Sequence, residues 1–412
     1  MQRRMNLSFK KNIYILLPLA LIICNTQWAA SQTKEKTTHQ IPIAAYFGIP
    51  AEETSLARYR EMAATGICYA INSFPDIETT IKALDTAFGA GVKLIVFCPE
   101  LKTKPQETAA KLMHYPGLGG YFVTDEPATA DFPELGLWVK KINAIDAKHF
   151  CYINLFPNYA SLEQLGTKTY REYVNRFIQE VPVSILSFDH YPVINDTLRD
   201  EWYENLEIFA DEAKKVHKDF WAFALTVSHD PYPVPTLAQL RLQMYSNLAY
   251  GAQGIQYFTY WTPPKNPQWN FHNGPITLRA KRSEVYDRMK MVNEEIKNLS
   301  GVFMGATVVS VTHTGNVIPA GTKRLGKLPL PIKILETTGA GGVVSILKNG
   351  SASFLVIVNR DFKNAMGLTI RGDSTLNKIL KDGSEISASI YEETTSVDPG
   401  DAVIFKWTTN NP

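Results

Sequence analysis

The chain has 412 residues, a length that exceeds one ordinary domain and suits a large domain with a smaller one. Its 42 basic and 40 acidic residues leave a net charge of +2, so the composition gives no sign of a nucleic-acid partner. Aromatic residues, which present broad apolar faces to ligands such as sugar rings, make up 11% of the sequence.

Residues 1–31 have the features of a signal peptide. A basic start is followed by an apolar core from Ile13 to Cys24 and by small residues from Ala29 to Ser31. That core is too short to span a bilayer, and we expect no transmembrane span in the mature chain. The sequence predicts an exported protein, periplasmic or extracellular, with residues 32–40 as a linker. The end of the apolar core resembles a lipobox with isoleucine before the cysteine, so lipid anchoring through Cys24 is the alternative.

Three cysteines, Cys68, Cys98 and Cys151, lie in apolar runs beyond the predicted signal peptide. Because their number is odd and no CxxC spacing occurs, we interpret them as buried free thiols rather than as disulfides or zinc ligands. The sequence contains no GxSxG elbow, no P-loop and no HExxH motif. No cofactor and no metal is therefore expected.

Between residues 41 and 300 a β-rich run followed by an amphipathic stretch occurs eight times. Alternating strands and helices indicate a parallel sheet, and eight repeats over about 260 residues match a (β/α)8 TIM barrel. A doubly wound sheet is the alternative, but no strand is followed by a Gly-rich phosphate turn. The assigned strands are Ile41 to Phe47, Gly66 to Ser73, Val92 to Cys98, Gly119 to Glu126, Phe150 to Phe156, Val183 to Tyr191, Phe220 to Ser228 and Gly254 to Trp261.

Helix starts can be placed by their capping residues. The second helix is expected after Asp76, the fourth after Asp131 and the seventh at Thr236, while the eighth is expected from Thr277 to Leu299. Residues 301–412 differ, because short strand-like runs alternate there with Asn-Gly, Asp-Gly and Pro-Gly turn signals. They predict a C-terminal antiparallel β-sandwich domain, for which a structural role is favoured over a carbohydrate-binding one.

The fourth strand is an apolar run that ends in Asp125, Glu126 and Pro127. The proline favours extended geometry at Glu126 and blocks further pairing, so the strand should end where the charges begin. Barrel enzymes keep their catalytic groups at the C-terminal ends of strands. The alternative is that Asp125 or Glu126 only caps the next helix.

Other predicted strands also end in polar or aromatic residues, which the barrel would bring together. A loop after the eighth strand adds Trp269, in a mixture of aromatic and amide residues typical of a sugar subsite. The further candidates for substrate binding are Tyr46, Asn72, Asp125, Asn154, His190, Tyr191, His229, Tyr260 and Trp261. Acids that converge within a ring of aromatics predict a site for glycoside cleavage.

Glycoside cleavage needs a protonated carboxylic acid for the leaving oxygen and a second carboxylate at the anomeric carbon. We assign the acid to Glu126, because the neighbouring Asp125 and an aromatic rim would both raise its pKa. Asp189 is the first choice for the second carboxylate and Asp230 is the second. Asp189 could instead cap the following loop or orient His190. Asp230 precedes a proline, and its alternative role is simply to begin a turn.

These residues resemble clan A glycoside hydrolases, and in particular glycosidases of gut Bacteroidetes with a Gly-Tyr-x-x-x-Asp-Glu-Pro strand. The resemblance covers Ile41 to about Ser300. It implies that Glu126 is the acid/base and that His190 and Tyr191 are the His-Tyr pair at the end of strand six. It also implies that Trp261 forms the floor of the sugar site. The chain departs from the clan at Asp125, where asparagine is usual, and at the end of strand seven, which has Ser-His-Asp in place of a glutamate.

The sequence thus predicts an exported glycoside hydrolase that cleaves O-glycosidic bonds of an oligo- or polysaccharide without a cofactor. A catalytically inactive, carbohydrate-binding TIM barrel is the main alternative. A non-glycosidic hydrolase is a third possibility, and a metal bound between Asp189, His190 and His229 would favour it.

Overall fold

Eight parallel strands form a closed barrel in the computed structural model, which describes residues 40–388 and 395–408. Their order around the barrel is β5-β4-β3-β2-β1-β8-β7-β6, and the Leu155 N–H donates to the Ser187 carbonyl at 2.9 Å where β5 meets β6. The predicted TIM barrel is confirmed. The strands are β1 (Ile43–Tyr46), β2 (Tyr69–Ser73), β3 (Lys93–Phe97), β4 (Leu118–Asp125), β5 (Phe150–Asn154), β6 (Ile185–Phe188), β7 (Asp219–Leu225) and β8 (Gly254–Phe258).

Helices surround this barrel. The Asp76 carboxylate caps α2 by accepting from the Thr79 N–H at 2.7 Å, and Thr236 forms a capping box at the start of α9, as predicted. The helices are α1 (Leu56–Ala63), α2 (Ile77–Phe88), α3 (Pro99–Thr103), α4 (Pro105–Leu112), α5 (Phe132–Asn143), α6 (Leu162–Leu165), α7 (Tyr170–Glu180), α8 (Trp202–Lys215), α9 (Leu237–Ala249), α10 (Glu284–Asn298) and α11 (Ser300–Phe303).

The predicted start of the eighth barrel helix at Thr277 is wrong. Helix α10 begins at Glu284, with the Ser283 side chain as its N-cap. The residues before it form a tight turn, in which Ile276 bridges Arg282 and Ala280 has a φ of 56°. The charged character of the predicted helix extends through this turn and therefore did not reveal where the helix begins.

The C-terminal region is an antiparallel β-sandwich, as predicted. A six-stranded sheet has the order β9-β11-β12-β17-β14-β15, and a three-stranded sheet has the order β10-β13-β16. The strands are β9 (Thr307–His313), β10 (Ile334–Thr337), β11 (Gly342–Asn349), β12 (Ala352–Asn359), β13 (Met366–Arg371), β14 (Asn377–Ile379), β15 (Glu385–Ser387), β16 (Thr395–Val397) and β17 (Ala402–Thr408).

Helix α9 lies between the barrel and the six-stranded sheet. Ten of its 13 residues are buried, and Val343 and Val356 of the sheet pack into the same core as Leu240 and Tyr245 of the helix. Because α9 is covered on two sides, its sequence has no polar stripe of the kind that a surface helix carries. The opposite face of the sheet packs on the three-stranded sheet in a second core.

Two sequence predictions about the rest of the chain can be compared with the described residues. Cys98 and Cys151 are free and buried, and Cys68 is free but only partly buried. Across residues 40–388 and 395–408, no helix combines the length and the apolar character that crossing a membrane requires. The predicted signal peptide and Cys24 lie outside the described residues.

An ionic cluster joins the barrel helices to the sandwich. Glu295 on α10 accepts from the Tyr245 hydroxyl at 2.8 Å, contacts Arg241 on α9 and lies 3.5 Å from the Lys381 ammonium. Arg241 and Lys381 also contact Asp401 of the sandwich. Glu295 is 8% exposed, so its charge is balanced by these partners rather than by water.

We expect Glu295→Gln to lower the free energy of unfolding by about 3 kcal/mol, because Arg241 and Lys381, which are partly buried, then lose one carboxylate partner. Equilibrium unfolding in urea measures the loss. The matched control is Glu294→Gln, at the exposed neighbouring position, which should change the free energy by less than about 0.5 kcal/mol. Equal effects at the two positions would contradict a role of the cluster.

Candidate active site

A cavity of about 350 Å³ opens at the C-terminal end of the barrel. Parallel strands deliver their final residues to this end, which explains why side chains distant in sequence meet there. We call this cavity the acidic pocket. The sequence-predicted residues that line it are Tyr46, Asp125, Glu126, Asn154, Asp189, Tyr191, His229 and Trp269.

Asp125 and Glu126 are consecutive, yet both line the acidic pocket. For Asp125 the cause is a bulge in β4. Phe122 pairs with Tyr152 and Thr124 pairs with Ile153, so Val123 is an extra residue. Val123 and Thr124 both face a cavity on the outer side of the strand. The alternation is therefore shifted by one residue, and Asp125 points inward, paired in register with Asn154.

Glu126 reaches the same pocket through a second backbone feature. Its φ is 46°, in the left-handed region, which costs a non-glycine residue about 1–3 kcal/mol. The prediction that Pro127 holds Glu126 in extended geometry is wrong. Tertiary hydrogen bonds override the local preference, since the Glu126 N–H donates to the Asn154 carbonyl at 2.9 Å and Tyr173 donates to the Pro127 carbonyl at 2.8 Å.

A chain of buried hydrogen bonds orients the groups beneath the acids. Tyr152 donates to the Gln256 carbonyl oxygen at 2.6 Å, and the Gln256 amide donates to the Ser187 hydroxyl at 2.8 Å. Ser187 donates to Asn154 Oδ1 at 2.9 Å, and Asn154 Nδ2 donates to Asp189 Oδ1 at 2.9 Å. Because the order of donors and acceptors is fixed, Asn154 presents its NH2 group to the Asp189 carboxylate.

The carboxyl groups of Glu126 and Asp189 line the same pocket, and each affects the pKa of the other. Burial and the charges of Asp189 and Asp125 raise the pKa of Glu126. Burial and the charge of Asp125 also raise the pKa of Asp189, but hydrogen bonds from Asn154 and Tyr191 oppose that rise. Because these donors stabilise the charged form of Asp189, Glu126 is assigned as the carboxyl that keeps its proton.

Asp125 is a third carboxyl group in the acidic pocket. It accepts a hydrogen bond from the Tyr46 hydroxyl at 3.0 Å and keeps an exposed face towards the pocket. The surrounding protein raises the pKa of Asp125, and hydrogen bonds from Tyr46 and Asn154 counteract part of that rise. Its free lone pairs can accept hydrogen bonds from a bound ligand.

The aromatic wall of the pocket contains residues that the sequence reasoning missed. Tyr159 and Tyr232 lie in loops and carried no local signal. Phe223 and Phe258 occupy inward positions of β7 and β8, so the period-two alternation could have identified them. Phe271 completes this wall beside Trp269.

Asp230 is not among the residues that line the pocket. It is exposed, its carboxylate accepts from the Asn270 amide at 2.8 Å, and its own N–H donates to Asn270 Oδ1 at 2.8 Å. His190 is also outside, with its ring edge against Tyr159 at 4.9 Å between centroids. Tyr260 is 1% exposed and packs in the barrel core.

Asn72 and Trp261 line a neighbouring cavity of about 570 Å³ instead. Asn72 donates to the Ile49 carbonyl at 3.0 Å, and the Arg58 guanidinium lies 5.3 Å from the Trp261 ring. Tyr46 lines both cavities and separates them. In the described ranges, no group of three or more His, Cys, Asp or Glu residues is arranged to hold a metal ion.

No family model matches the chain, and no curated protein matches it. Among solved structures, a family 42 β-galactosidase from G. stearothermophilus matches with a TM-score of 0.58 at 8% identity, over 90% of this chain and 98% of that one. A family 39 glycoside hydrolase from Bacteroides cellulosilyticus WH2 matches with a TM-score of 0.54 at 8% identity, over 90% and 81%. The chain shares the barrel fold of these hydrolases.

An Anoxybacillus α-amylase also matches, with a TM-score of 0.53 at 10% identity, over 92% of this chain and 100% of that one. The chain spans only 60% of a β-galactosidase from Marinomonas ef1, with a TM-score of 0.49 and 13% identity over 63% of this chain. The predicted resemblance to clan A barrels is thus confirmed for the fold. The narrower resemblance to gut Bacteroidetes glycosidases stays a prediction.

Proposed function

We propose that the chain is a glycoside hydrolase that cleaves O-glycosidic bonds of an oligo- or polysaccharide. The observation that supports this function is the presence of Glu126 and Asp189, two carboxyl groups with raised pKa values, in one aromatic-walled pocket at the C-terminal end of the barrel. Carboxyl groups in different hydrogen-bonding environments supply the acid and the base that glycoside cleavage requires.

In this proposal Glu126 donates its proton to the leaving oxygen, and Asp189 faces the cationic anomeric carbon. Asn154 keeps Asp189 ionised and oriented in that step.

A bell-shaped pH dependence of kcat/KM follows, because the active form carries one proton on the pair. Activity falls in acid when Asp189 gains a proton and falls in alkali when Glu126 loses its proton. Both pKa values are raised, so both limbs should lie above the usual carboxyl range of about 4. Initial rates across buffers of constant ionic strength measure the profile, and an acid limb near pH 4 would contradict the buried pair.

A carbohydrate-binding barrel without catalysis is the second candidate. It is favoured by the end of strand seven, where His229 lines the pocket and Asp230 does not, so that strand supplies no carboxylate. A glycan panel separates the two functions when calorimetry and a reducing-end assay are run on the same samples. Heat with new reducing ends supports the hydrolase, and heat alone supports the binder. The absence of both signals would overturn both proposals.

Export belongs to the same proposal, with residues 1–31 as a signal peptide and residues 32–40 as a linker. The location is periplasmic or extracellular, with lipid anchoring through Cys24 as the alternative. We also propose a division into a catalytic barrel of residues 41–300 and a sandwich of residues 301–412.

A further inference from the structure

The acidic pocket has an excess of acidic over basic side chains. Three carboxyl groups face it, those of Asp125, Glu126 and Asp189, while its lining within residues 40–388 and 395–408 includes no lysine and no arginine. Its histidine, His229, does not offset the carboxylates, because burial lowers its pKa to about 4 and leaves the ring neutral at pH 7. At neutral pH the ionisable side chains around a bound ligand are thus neutral or negative.

A cation does lie behind the aromatic wall, but its charge is already balanced. The Arg199 guanidinium stacks over the Tyr159 ring at 4.2 Å and donates to the Tyr232 hydroxyl at 3.2 Å. It also forms an ion pair with Glu201 at 3.3 Å. Tyr159 and Tyr232 line the pocket, whereas Arg199 does not, so a ligand meets the tyrosines and not the guanidinium.

The carboxyl groups of the acidic pocket would affect which sugars it binds. A carboxylate or sulfate on the bound sugar would add a negative charge beside Asp125 and the Glu126 and Asp189 pair, and the repulsion between like charges would oppose its binding. A hydroxyl or an ammonium group would instead donate to the exposed face of Asp125.

We propose that the acidic pocket accepts a neutral or an amine-bearing sugar and excludes sugars that carry a carboxylate or a sulfate. This inference rests on the proposed function and specifies the substrate class of the same site. The three carboxyl groups, and Asp125 above all, act as the filter.

Calorimetry with matched monosaccharides tests the filter without requiring turnover. The probes are glucose, glucuronate and glucosamine, and the corresponding galactose series. For the series that binds the wild-type protein, we expect the uronate to bind at least about tenfold more weakly than the neutral sugar, and the amino sugar to bind at least as tightly. In Asp125→Asn the preference for the neutral sugar over the uronate should shrink to about threefold or less.

The control variant is Asp131→Asn, which makes the same chemical change at an exposed residue outside the pocket and should keep the wild-type ratio. A uronate that binds the wild-type protein as tightly as its neutral partner overturns the inference alone, even if Asp125→Asn does not fold. A ratio that is unchanged in folded Asp125→Asn also overturns it. If no monosaccharide binds and no glycoside is cleaved, the proposed function fails and the inference fails with it.

Discussion

Glu126→Gln is expected to lower kcat about 10³-fold on a glycoside with a poor leaving group, because glutamine cannot donate the proton that the departing oxygen needs. The loss should be much smaller on an aryl glycoside, whose leaving group departs without full protonation. Steady-state rates on both substrates measure the difference. The control is Glu134→Gln, an exposed position at the start of α5, which should retain wild-type rates. Equal losses on both substrates would contradict the role of a general acid.

The pH dependence of the stability of Glu126→Gln distinguishes a catalytic role of Glu126 from a structural one. Because the pKa of Glu126 is raised in the folded protein, the wild-type protein loses stability as the pH rises through that pKa. Glutamine does not ionise, so Glu126→Gln should be more stable than the wild type in alkali, with no such advantage below the unfolded pKa of about 4.3. Urea unfolding of both proteins at several pH values measures this pH-dependent difference in stability. A variant that is less stable at every pH would indicate that Glu126 is a structural residue.

Asp189→Asn is the second large effect. We expect a loss of about 10³-fold in kcat, because asparagine cannot stabilise or attack the cationic carbon. Asp230→Asn is the informative comparison, since it removes a carboxylate that points away from the pocket towards Asn270, and it should stay within about threefold of the wild type. The reverse pattern, with activity lost only in Asp230→Asn, would assign the second carboxylate to strand seven.

Asp189→Asn also tests whether the titrations of Glu126 and Asp189 are coupled. The charge of Asp189 is one cause of the raised pKa of Glu126. Removing that charge should lower the pKa of Glu126 and move the alkaline limb of any residual activity to lower pH. An alkaline limb that does not move would show that the two carboxyls titrate independently.

The architecture could be predicted from the sequence because it depends on patterns that repeat. Apolar runs bounded by capping residues such as Asp76 and Thr236 define strands and helices locally, and a barrel follows from their regular alternation. The end of a barrel strand is also a defined place in the fold. For this reason Asp125, Asn154 and Asp189 could be assigned to one end of the barrel before their contacts were known.

The details of the site depend on features that have no local sequence signal. The bulge at Val123 and the left-handed backbone of Glu126 arise from pairing with β5, which the β4 sequence does not encode. Strand β8 ends at Phe258, so this residue lines the pocket and Trp261, three positions later, lines the neighbouring cavity. Neither a one-residue shift of register nor the exact end of a strand can be deduced from apolar periodicity.

The burial of α9 has an evolutionary consequence. Its buried surface faces the barrel on one side and the six-stranded sheet on the other, so the sandwich cannot be exchanged between barrels as an independent module. A descendant that lost residues after Gly305 would expose apolar side chains such as Leu242 to water. Several positions of α9 would have to become polar in the same lineage. We therefore expect helix and sandwich to be inherited together and their sequences to covary.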